Sequence, residues 1–406
     1  MITENENLES NSACLNNCQI QKQQQLNKSI MLFFQDVPDP RASDNCQYSL
    51  CELLFIMLMA VFSGANCIAG IHDYACEREK QLSIILGENF KSPSYDTFWW
   101  ILTRMDHEAF AKAFFSWVKS VRVPDLIGEQ ICIDGKTLRG AINRAGKQNI
   151  HIVHAWVHDK GVLIGQKKTE EKSNEITAIP ELLEQLDLYE AIVTIDAAGC
   201  QKEIAKKICG GGGNYILCLK KNQRNFYHEV TSLFSHAREE GFEYVLNCDF
   251  HETIEKNRGR IEKRRVAVIG DPSEISREKE WEGLNSLIEV TREVTRSNKT
   301  TIEKSYYISS LVESAEEFGR RIRGHWQVES MHWSLDMIFD EDECRANILN
   351  AALNLATLKR IVQSIVKGNP LLKKQGMAKT RRRAQWNEDG SVFREICEAL
   401  FGVKSF

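Results

Sequence analysis

The sequence predicts an α/β protein in which a small helical domain precedes an α/β core. Three observations predict this fold class. Apolar residues recur at helical spacing from about residue 30 to 120. Near residue 129 the pattern changes to short apolar strands that alternate with helices. Alternating β patterns without good helices follow at about 241–310, and helical periodicity returns at Ala315.

Length and charge bound the class of protein. The chain has 406 residues and is 43% apolar, which is typical of a globular protein with two domains, or with one large domain that carries insertions. A net charge of -4 does not by itself suggest a nucleic-acid binder. However, residues 256–265 and 373–383 are basic and residues 340–343 are acidic. The basic segments are either solvated surface or a track for phosphates.

Cysteine usage and the most apolar segment bear on the compartment. The 13 cysteines are scattered without a Cys-x-x-Cys pair, which indicates reduced thiols and neither a disulfide framework nor a zinc site. No signal peptide opens the chain, so we expect a cytoplasmic protein. Residues 53–71 approach the length of a membrane span, but Ser63, Gly64 and Asn66 interrupt the run. We predict a buried helix pair there and no membrane association.

The N-terminal third divides into a tail and a helical domain. Residues 1–28 are rich in Asn and Gln and cannot bury enough apolar surface to offset ordering, which predicts a disordered polar tail. Residues 30–120 are the predicted helical domain, in which Ser92 or Ser94 can cap a helix that has Pro93 near its first turn. Such modules bind DNA or partner proteins, but helix packing alone indicates neither.

The α/β core is predicted in the order β-β-β-α-β-α-β-α. The strands lie at 130–134, 149–158, 161–169, 190–199 and 214–223. The first strand is predicted to end in Asp134 before a turn of sequence GKTLRG, and the fourth ends in Asp196. Asp is also common in turns and helix caps, which is the alternative explanation for each of these two residues.

A late helical segment, residues 319–345, carries an acidic face. Glu329, His332, Trp333, Asp336 and Asp340 follow the spacing i, i+3, i+4, i+7 and i+11, which predicts one face of a helix. A separate apolar side is formed by Phe318, Ile322, Met331, Leu335 and Ile338. This face is either built to hold a cation or is a solvated acidic surface. Helical periodicity continues to about Lys367 with a break near 340–344, and residues 369–406 are predicted to be a basic tail with a short helix.

Three carboxylates from distant parts of the chain can meet. Acids at the ends of neighbouring strands lie at one mouth of an open sheet, which applies to Asp134 and Asp196. A helix packed on the sheet could bring Glu329 beside them. Three carboxylates repel each other unless hard cations with oxygen ligands neutralise them. We therefore predict two Mg²⁺ (or Mn²⁺) ions in the geometry that supports phosphodiester displacement.

Four motifs occur in a specific order: IDGKTLRG, TIDAAGCQKEIAKKI, YILCLKKNQ and HWQVESMHWSLDMIFDEDECR. This order resembles the DDE transposases of insertion sequences, in particular the H-repeat-associated branch, and DVPDPR and SPSYDTFWWILTRMD resemble the helical domain of that branch. The resemblance covers about residues 32–385. It implies an RNase H-like catalytic domain over 128–368 with a β-rich insertion at about 241–310. It also implies Asp134, Asp196 and Glu329 as the catalytic, metal-binding triad.

The resemblance implies double-stranded DNA as partner, at the element ends and the target, and self-association on DNA. The candidate DNA contacts are Lys136, Arg139, Lys220, Lys221, Asn222, Gln223, His325, Trp326, His332, Trp333, Lys373, Lys374, Arg381, Arg382 and Arg383. The wider group often has Tyr, Arg, Glu and Lys at Y-x2-R-x3-E-x6-K. Here Ile322, His325 and Asp336 take the other three positions around Glu329, so the usual Arg and Lys contacts to DNA are replaced.

The predicted activity is therefore DNA transposition. One strand would be cut at the element end, and the released 3′ hydroxyl would attack target DNA at the same site. No covalent protein intermediate is needed. Two alternatives remain at this stage: a metal-dependent nuclease that cuts without joining, and a domesticated DNA-binding protein that has kept the fold and lost the reaction.

Overall fold

The computed structural model describes residues 29–41, 46–143, 148–169, 175–241, 247–257, 259–297, 299–346, 348, 350–387, 391 and 395–396. The predicted disordered tail at 1–28 and most of the helix predicted near the C-terminus lie outside these ranges. Within the ranges, every helix is too short or too polar to cross a bilayer.

Six helices form the N-terminal part of the described chain. They are α1 (Ile30–Phe34), α2 (Leu50–Phe62), α3 (Ile68–Glu77), α4 (Glu79–Leu86), α5 (Tyr95–Arg104) and α6 (His107–Val121). Local signals fix where they begin: Ser49 and Glu52 form a capping box at α2, and Ser94, not Ser92, caps α5 by accepting from Thr97 N at 3.3 Å. Gly64 at φ 105° turns the chain after α2. The predicted buried pair at 53–71 is α2, which is largely buried, and the start of α3.

A mixed sheet of nine strands forms the core. The strands are β1 (Gln130–Asn143), β2 (Gln148–Val157), β3 (Val162–Thr169), β4 (Ile192–Ile195), β5 (Asn214–Leu219), β6 (Cys248–Asn257), β7 (Arg260–Ile269), β8 (Ser286–Arg296) and β9 (Lys299–Ser309). Their spatial order is β3-β2-β1-β4-β5-β9-β8-β7-β6. β1, β2 and β3 pair antiparallel, β1, β4 and β5 pair parallel, and β9 joins β5 antiparallel. The strands at 248–309 therefore extend the same sheet.

β1 is longer than the sequence pattern predicts. The predicted turn GKTLRG is wrong, because β1 continues through it and pairs with β2 from Ile131↔Val157 to Leu138↔Ile150. Lys136 occupies an interior position of this ladder and is only 7% exposed. The sequence pattern suggests a turn at this lysine, because the acid that pairs with it lies on a helix far along the chain and cannot be recognised locally.

Three helices follow β3, β4 and β5 in turn. They are α7 (Glu175–Leu183), α8 (Lys202–Gly210) and α9 (Arg224–Glu240). Residues of α7 and α8 belong to the main apolar core with Val193 and Leu217. The other face of the sheet is covered by α10 (Ala315–His325), α11 (Gln327–Met337) and α12 (Ala351–Gly368). Phe318 of α10 packs with Ile192 of β4 there, and Ala356 of α12 packs with Leu138 of β1.

Residues 319–345 do not form one helix: a break at Trp326 was not predicted, and the helix end precedes the predicted break near 340–344 by a few residues. The chain breaks at Trp326, between α10 and α11, and α11 ends at Met337. Asp340 therefore does not continue the acidic face, and it has a left-handed φ of 47°. Periodicity alone does not detect the break at Trp326, since the apolar spacing continues across it.

The basic segment after residue 369 is packed against the helical part. It forms α13 (Pro370–Gln375) and α14 (Met377–Trp386). Arg381 of α14 is 6% exposed and donates to Val61 O at 3.0 Å and to Asn66 Oδ1 at 2.6 Å. The described part of the predicted basic tail is thus a structural element that ties the C-terminal region to the loop after α2.

Candidate active site

Asp134 and Asp196 lie next to each other on adjacent parallel strands. In the register of β1 and β4, Ile133 pairs with Ile195, so the two aspartates occupy the next position on each strand. Neighbouring strands lie about 4.8 Å apart. Asp134 Oδ1 accepts from Gly135 N at 2.9 Å, and Asp196 Oδ1 accepts from Ala198 N at 3.0 Å. Asp196 therefore caps a short 3-10 turn and not α8.

The end of α10 is tied to the same two strands. His325 Nδ1 lies 3.0 Å from Thr194 Oγ1 of β4, and Gln130 Nε2 of β1 donates to Arg321 O at 2.8 Å. Glu329 follows one turn later, in the first turn of α11, with an exposed side chain. These bonds place the start of α11 over the strand ends that carry the aspartates.

The pKa of Asp134 reflects the other carboxylates near it. Burial, followed by the nearby Asp196, Glu175 and Glu329 carboxylates, raises the pKa of Asp134 to about 7 against the opposing Gly135 hydrogen bond. We call Asp134, Asp196 and Glu329 the open acidic cluster. Across the described ranges, none of its carboxylates forms an ion pair with Lys or Arg. Its charge is therefore not balanced by an ion pair with Lys or Arg in the described part of the chain.

α11 docks on β1 through two matched side-chain pairs. His332 Nδ1 lies 3.5 Å from Asp134 Oδ2, and Lys136 Nζ lies 2.5 Å from Asp336 Oδ1. Two residues along a strand span about 6.8 Å, and four along a helix span about 6 Å. The pairs at 134 and 136 thus match those at 332 and 336. This register fixes where Glu329, on the same helix, stands relative to Asp134.

A second group of acids lies at the C-terminal end of α11 and just beyond it. Lysine and arginine side chains neutralise these acids. Lys136 Nζ also lies 3.9 Å from Glu341 Oε2 and from Asp342 Oδ1. Arg360, 1% exposed, reaches Glu341 Oε1 at 2.6 Å and His154 Nε2 at 2.9 Å. We call Asp336, Glu341 and Asp342 the paired acidic cluster. Its cations come from β1 and α12.

A further buried pair stands beside Asp134. His151 Nε2 lies 2.6 Å from Glu175 Oε1, and His151 Nδ1 lies 2.8 Å from Thr137 Oγ1. A Cβ on Gly135 would come within 2.3 Å of Glu175 Oε1 and 2.4 Å of His151 Nε2. Glycine at 135 is therefore required for this pair to form behind Asp134.

The donor chemistry of the open acidic cluster fits a hard divalent cation, because carboxylate oxygens are the ligands that Mg²⁺ prefers. In the part of the chain that the structure describes, no group of three or more His, Cys, Asp or Glu side chains is already arranged to hold a metal ion. The cluster is a neighbourhood of acids in which the exposed Asp196 and Glu329 side chains have room to reorient.

Two known families match consecutive parts of the chain. Residues 31–118 match the family described as "DDE_Tnp_1-associated", and residues 127–364 match the family described as "Transposase DDE domain". The chain belongs to the DDE transposase family. The resemblance that the sequence motifs predict is confirmed.

Individual relatives agree with this family. The chain is 34% identical to "Putative transposase YncI" of Escherichia coli O157:H7, over 89% of this chain and 92% of the relative. It is also 34% identical to "H repeat-associated putative transposase YhhI" of Escherichia coli K12, over 88% and 95%. Among solved structures, a piggyBac transposase synaptic complex with hairpin DNA overlaps loosely, with a TM-score of 0.42 and 11% identity, covering 92% of this chain and 79% of that chain.

Within this DDE transposase chain, four of the predicted DNA contacts point inward. Lys136 and Arg381 are buried and bonded as described above, so neither is offered to a phosphate. His325 is held by Thr194. His332 faces Asp134 with a side chain that is 15% exposed, and burial, with Lys136 and Arg360 nearby, lowers its pKa to about 3. In this structure the four side chains hold structural positions, and their contact with DNA stays a prediction.

Other predicted contacts of the transposase are exposed. They are Arg139, Lys220, Lys221, Asn222, Trp326, Trp333, Lys373, Lys374 and Arg382. Asn222 also donates to Ala197 O at 2.7 Å, and the half-buried Gln223 donates to Cys200 O at 3.0 Å, so both brace the turn after Asp196. Arg383 is half-buried and lies 3.4 Å from Glu395. The contact of these residues with DNA stays a prediction.

A groove beside Glu329 was not predicted from the sequence. It has a volume of about 560 Å³ and lies between α10 and strands β6 to β9. Its lining includes Arg264, Arg292, Arg320, Arg323, Trp326 and Glu329. The basic segment at 256–265 and the GRRIR start of the late helical segment were the sequence signals for Arg264, Arg320 and Arg323, and Arg292 had none. Only the structure brings the two signals to one groove.

Proposed function

We propose that this chain is the transposase of an insertion sequence, which cuts DNA at the element ends and joins the 3′ hydroxyl to target DNA. The strand order β3-β2-β1-β4-β5, with β2 antiparallel, supports an RNase H-like core over about 128–368. The observation that carries the proposal is the register that makes Asp134 and Asp196 neighbours, with Glu329 electrostatically coupled to Asp134.

Asp134, Asp196 and Glu329 would hold two divalent ions. When bound, Mg²⁺ or Mn²⁺ supplies a clamp that activates the attacking oxygen and stabilises the leaving oxygen of a phosphodiester. The role of the carboxylates is to fix those positions before the substrate arrives. The overall change is balanced: water is added across one phosphodiester, which leaves a 3′ hydroxyl and a 5′ phosphate. That hydroxyl then displaces a 3′ oxygen in the target.

The groove beside Glu329 supports a path for DNA toward the acids. Arg264, Arg320 and Arg323 line it, and Trp326, 51% exposed, offers a ring for stacking. Each arginine is paired with a glutamate in the protein; for example, Arg323 Nη2 lies 2.8 Å from Glu255 Oε2. Phosphates would compete with these glutamates for the guanidinium groups. Affinity for DNA would then fall steeply as salt rises.

The test replaces each acid by its amide. Asp134→Asn, Asp196→Asn and Glu329→Gln are each expected to abolish strand cleavage, while binding to DNA with element ends stays within a few-fold of the unaltered protein. Asp159→Asn, at a side chain that is 64% exposed, is the control and should cleave normally. Substantial cleavage by any of the three site variants would reject the proposal.

A strand-transfer assay with pre-cut ends tests the joining step. Joining is expected with the unaltered protein. Cleavage without joining would instead identify a metal-dependent nuclease, and DNA binding with neither reaction would identify a protein that has lost the activity. We further propose that the active form is a homo-oligomer on DNA in the cytoplasm, associated with the nucleoid. Light scattering of the complex with end DNA measures its stoichiometry.

A further inference from the structure

Glu329 and His332 form a Glu-x-x-His pair on α11. Residues at i and i+3 lie on one face of a helix. Helical bundles use this spacing to direct a carboxylate and an imidazole to the same metal ion. The α11 axis is held over β1 by the pair between Lys136 and Asp336, so the face that carries Glu329 also turns His332 toward Asp134.

The imidazole of His332 stands at a distance from Asp134 that suits a shared ion. His332 Nδ1 lies 3.5 Å from Asp134 Oδ2. Two neighbouring ligands around an ion with bonds of about 2.1 Å are separated by about 3 Å. A shift of about half an ångström would therefore bring both atoms into one coordination sphere. At 15% exposure, the side chain is too enclosed to serve as the DNA contact that the sequence suggested.

The rest of the imidazole ring is enclosed on the side away from the acids. His332 Nε2 is buried and has no hydrogen-bond partner within the described ranges. The ring packs edge-on against His154, with centroids 6.2 Å apart. His154 in turn is bound to Arg360. The imidazole is therefore held in place from behind, with Nδ1 as its atom toward the acids.

We propose that His332 is a nitrogen ligand of the divalent ion on Asp134, so that this ion has mixed oxygen and nitrogen donors. The inference rests on the proposed function for the presence of an ion. Its consequence is selectivity. Imidazole favours first-row transition ions over Mg²⁺, so the site would prefer Mn²⁺ to Mg²⁺ more strongly than a site made of carboxylates alone.

Pulsed electron paramagnetic resonance of the full-length protein loaded with Mn²⁺ tests the assignment. We expect ¹⁴N modulation from a directly bound imidazole, and its replacement by ¹⁵N signals when histidine is labelled with ¹⁵N. The labelling needs no substitution, so it reports on the native chain. His332→Asn places an amide near the position of Nδ1, and it should keep bound Mn²⁺ while losing the nitrogen coupling.

His325→Asn is the matched control. This histidine is on the same side of the sheet, but its Nδ1 is used by Thr194, so the ¹⁴N modulation should persist. Calorimetric titration adds an independent readout. In His332→Ala, the ratio of Mn²⁺ to Mg²⁺ affinity should fall, because the nitrogen donor that favours Mn²⁺ is lost. His325→Asn, which keeps a polar group facing Thr194, should leave this ratio unchanged.

The outcomes separate the two proposals. Absence of nitrogen coupling in the unaltered protein, or coupling that survives His332→Asn, overturns the ligand assignment and leaves the proposed function standing. A histidine that only hydrogen-bonds to Asp134 would give this result. If the unaltered protein binds no Mn²⁺, or if Asp134→Asn leaves Mn²⁺ binding unchanged, the proposed function itself fails.

Discussion

The two acidic clusters at the α11 interface differ in how their charge is balanced. In the paired acidic cluster, Lys136 and Arg360 lie within ion-pair distance of the carboxylates. In the open acidic cluster the only ion-pair partner in the described part of the chain is His332, held neutral by burial. The same helix thus contributes to one cluster that Lys and Arg neutralise and to one that no Lys or Arg of the described residues pairs with. Acid content alone does not distinguish a structural cluster from a candidate metal site.

The largest expected effect on stability comes from removing a cation from the paired acidic cluster, so that it resembles the open acidic cluster, whose carboxylates pair with no Lys or Arg of the described residues. Lys136→Met leaves Asp336, Glu341 and Asp342 without their shared ammonium, and removing one partner of a buried pair destabilises by about 3–5 kcal/mol. Urea unfolding of the metal-free protein measures this loss. Arg139→Met is the control. Arg139 is 78% exposed and 3.6 Å from Asp342, and such surface pairs contribute about 1 kcal/mol or less. Equal losses in the two variants would contradict the distinction.

A smaller effect is expected from moving Glu175, the acid that His151 holds beside the open acidic cluster. Gly135→Ala would force Glu175 away from His151. We expect a loss of about 1–3 kcal/mol in the free energy of unfolding from overpacking. The displaced Glu175 would also add charge beside Asp134. Gly210→Ala is the matched control, because a Cβ there meets nothing within 4 Å. An unchanged unfolding midpoint for Gly135→Ala would show that the pair is not required.

The open acidic cluster should make the metal-free protein sensitive to pH. The folded pKa of Asp134, about 7, lies above its ordinary value of 3.8. The folded state therefore binds this proton more tightly, and the associated stability is full below about pH 3.8 and lost as pH rises through about 7. Asp134→Asn should remove this part of the dependence. Thermal unfolding in EDTA from pH 4 to 8 measures it, and Asp159→Asn should behave like the unaltered protein.

Added Mg²⁺ provides the complementary observation. At pH 8 it should raise the unfolding temperature of the unaltered protein, because it binds the folded state and neutralises the cluster. It should do so much less in Asp134→Asn. If the unfolding temperature depends on pH identically in the two proteins, the pKa of Asp134 is not raised by folding, and the carboxylates of the open acidic cluster do not repel each other measurably.

The smallest expected effect concerns the groove beside Glu329. Arg264→Ala should reduce the slope of log affinity for DNA against log salt by about 1, uniformly across DNA sequences. Arg260→Ala, on the same strand but outside the groove lining, should leave the slope unchanged. Binding titrations at several salt concentrations measure both. Equal slopes for the two variants would move the DNA path away from this groove.

Particular elements show how far sequence patterns reach. The strands that carry Ile133 and Ile195 were predictable, because short apolar runs followed by Asp are local features. The acids were candidates for the same reason. The continuation of β1 through Lys136 was not predictable, since a lysine inside a strand looks like a turn or surface residue. The break at Trp326 was also missed, because apolar spacing continues from α10 into α11.

The residue order itself determined the sequence of strands and helices, the family motifs and the three candidate acids, of which Asp134 and Asp196 follow paired residues of adjacent strands. Only the tertiary structure decided which charges are compensated. Lys136 and Asp336 are 200 residues apart, and Arg381 is bound by backbone of a helix that lies 320 residues earlier. For Lys136 and Arg381 these partners offset the hydration that is lost on burial, and partners at such separations are brought together by folding alone.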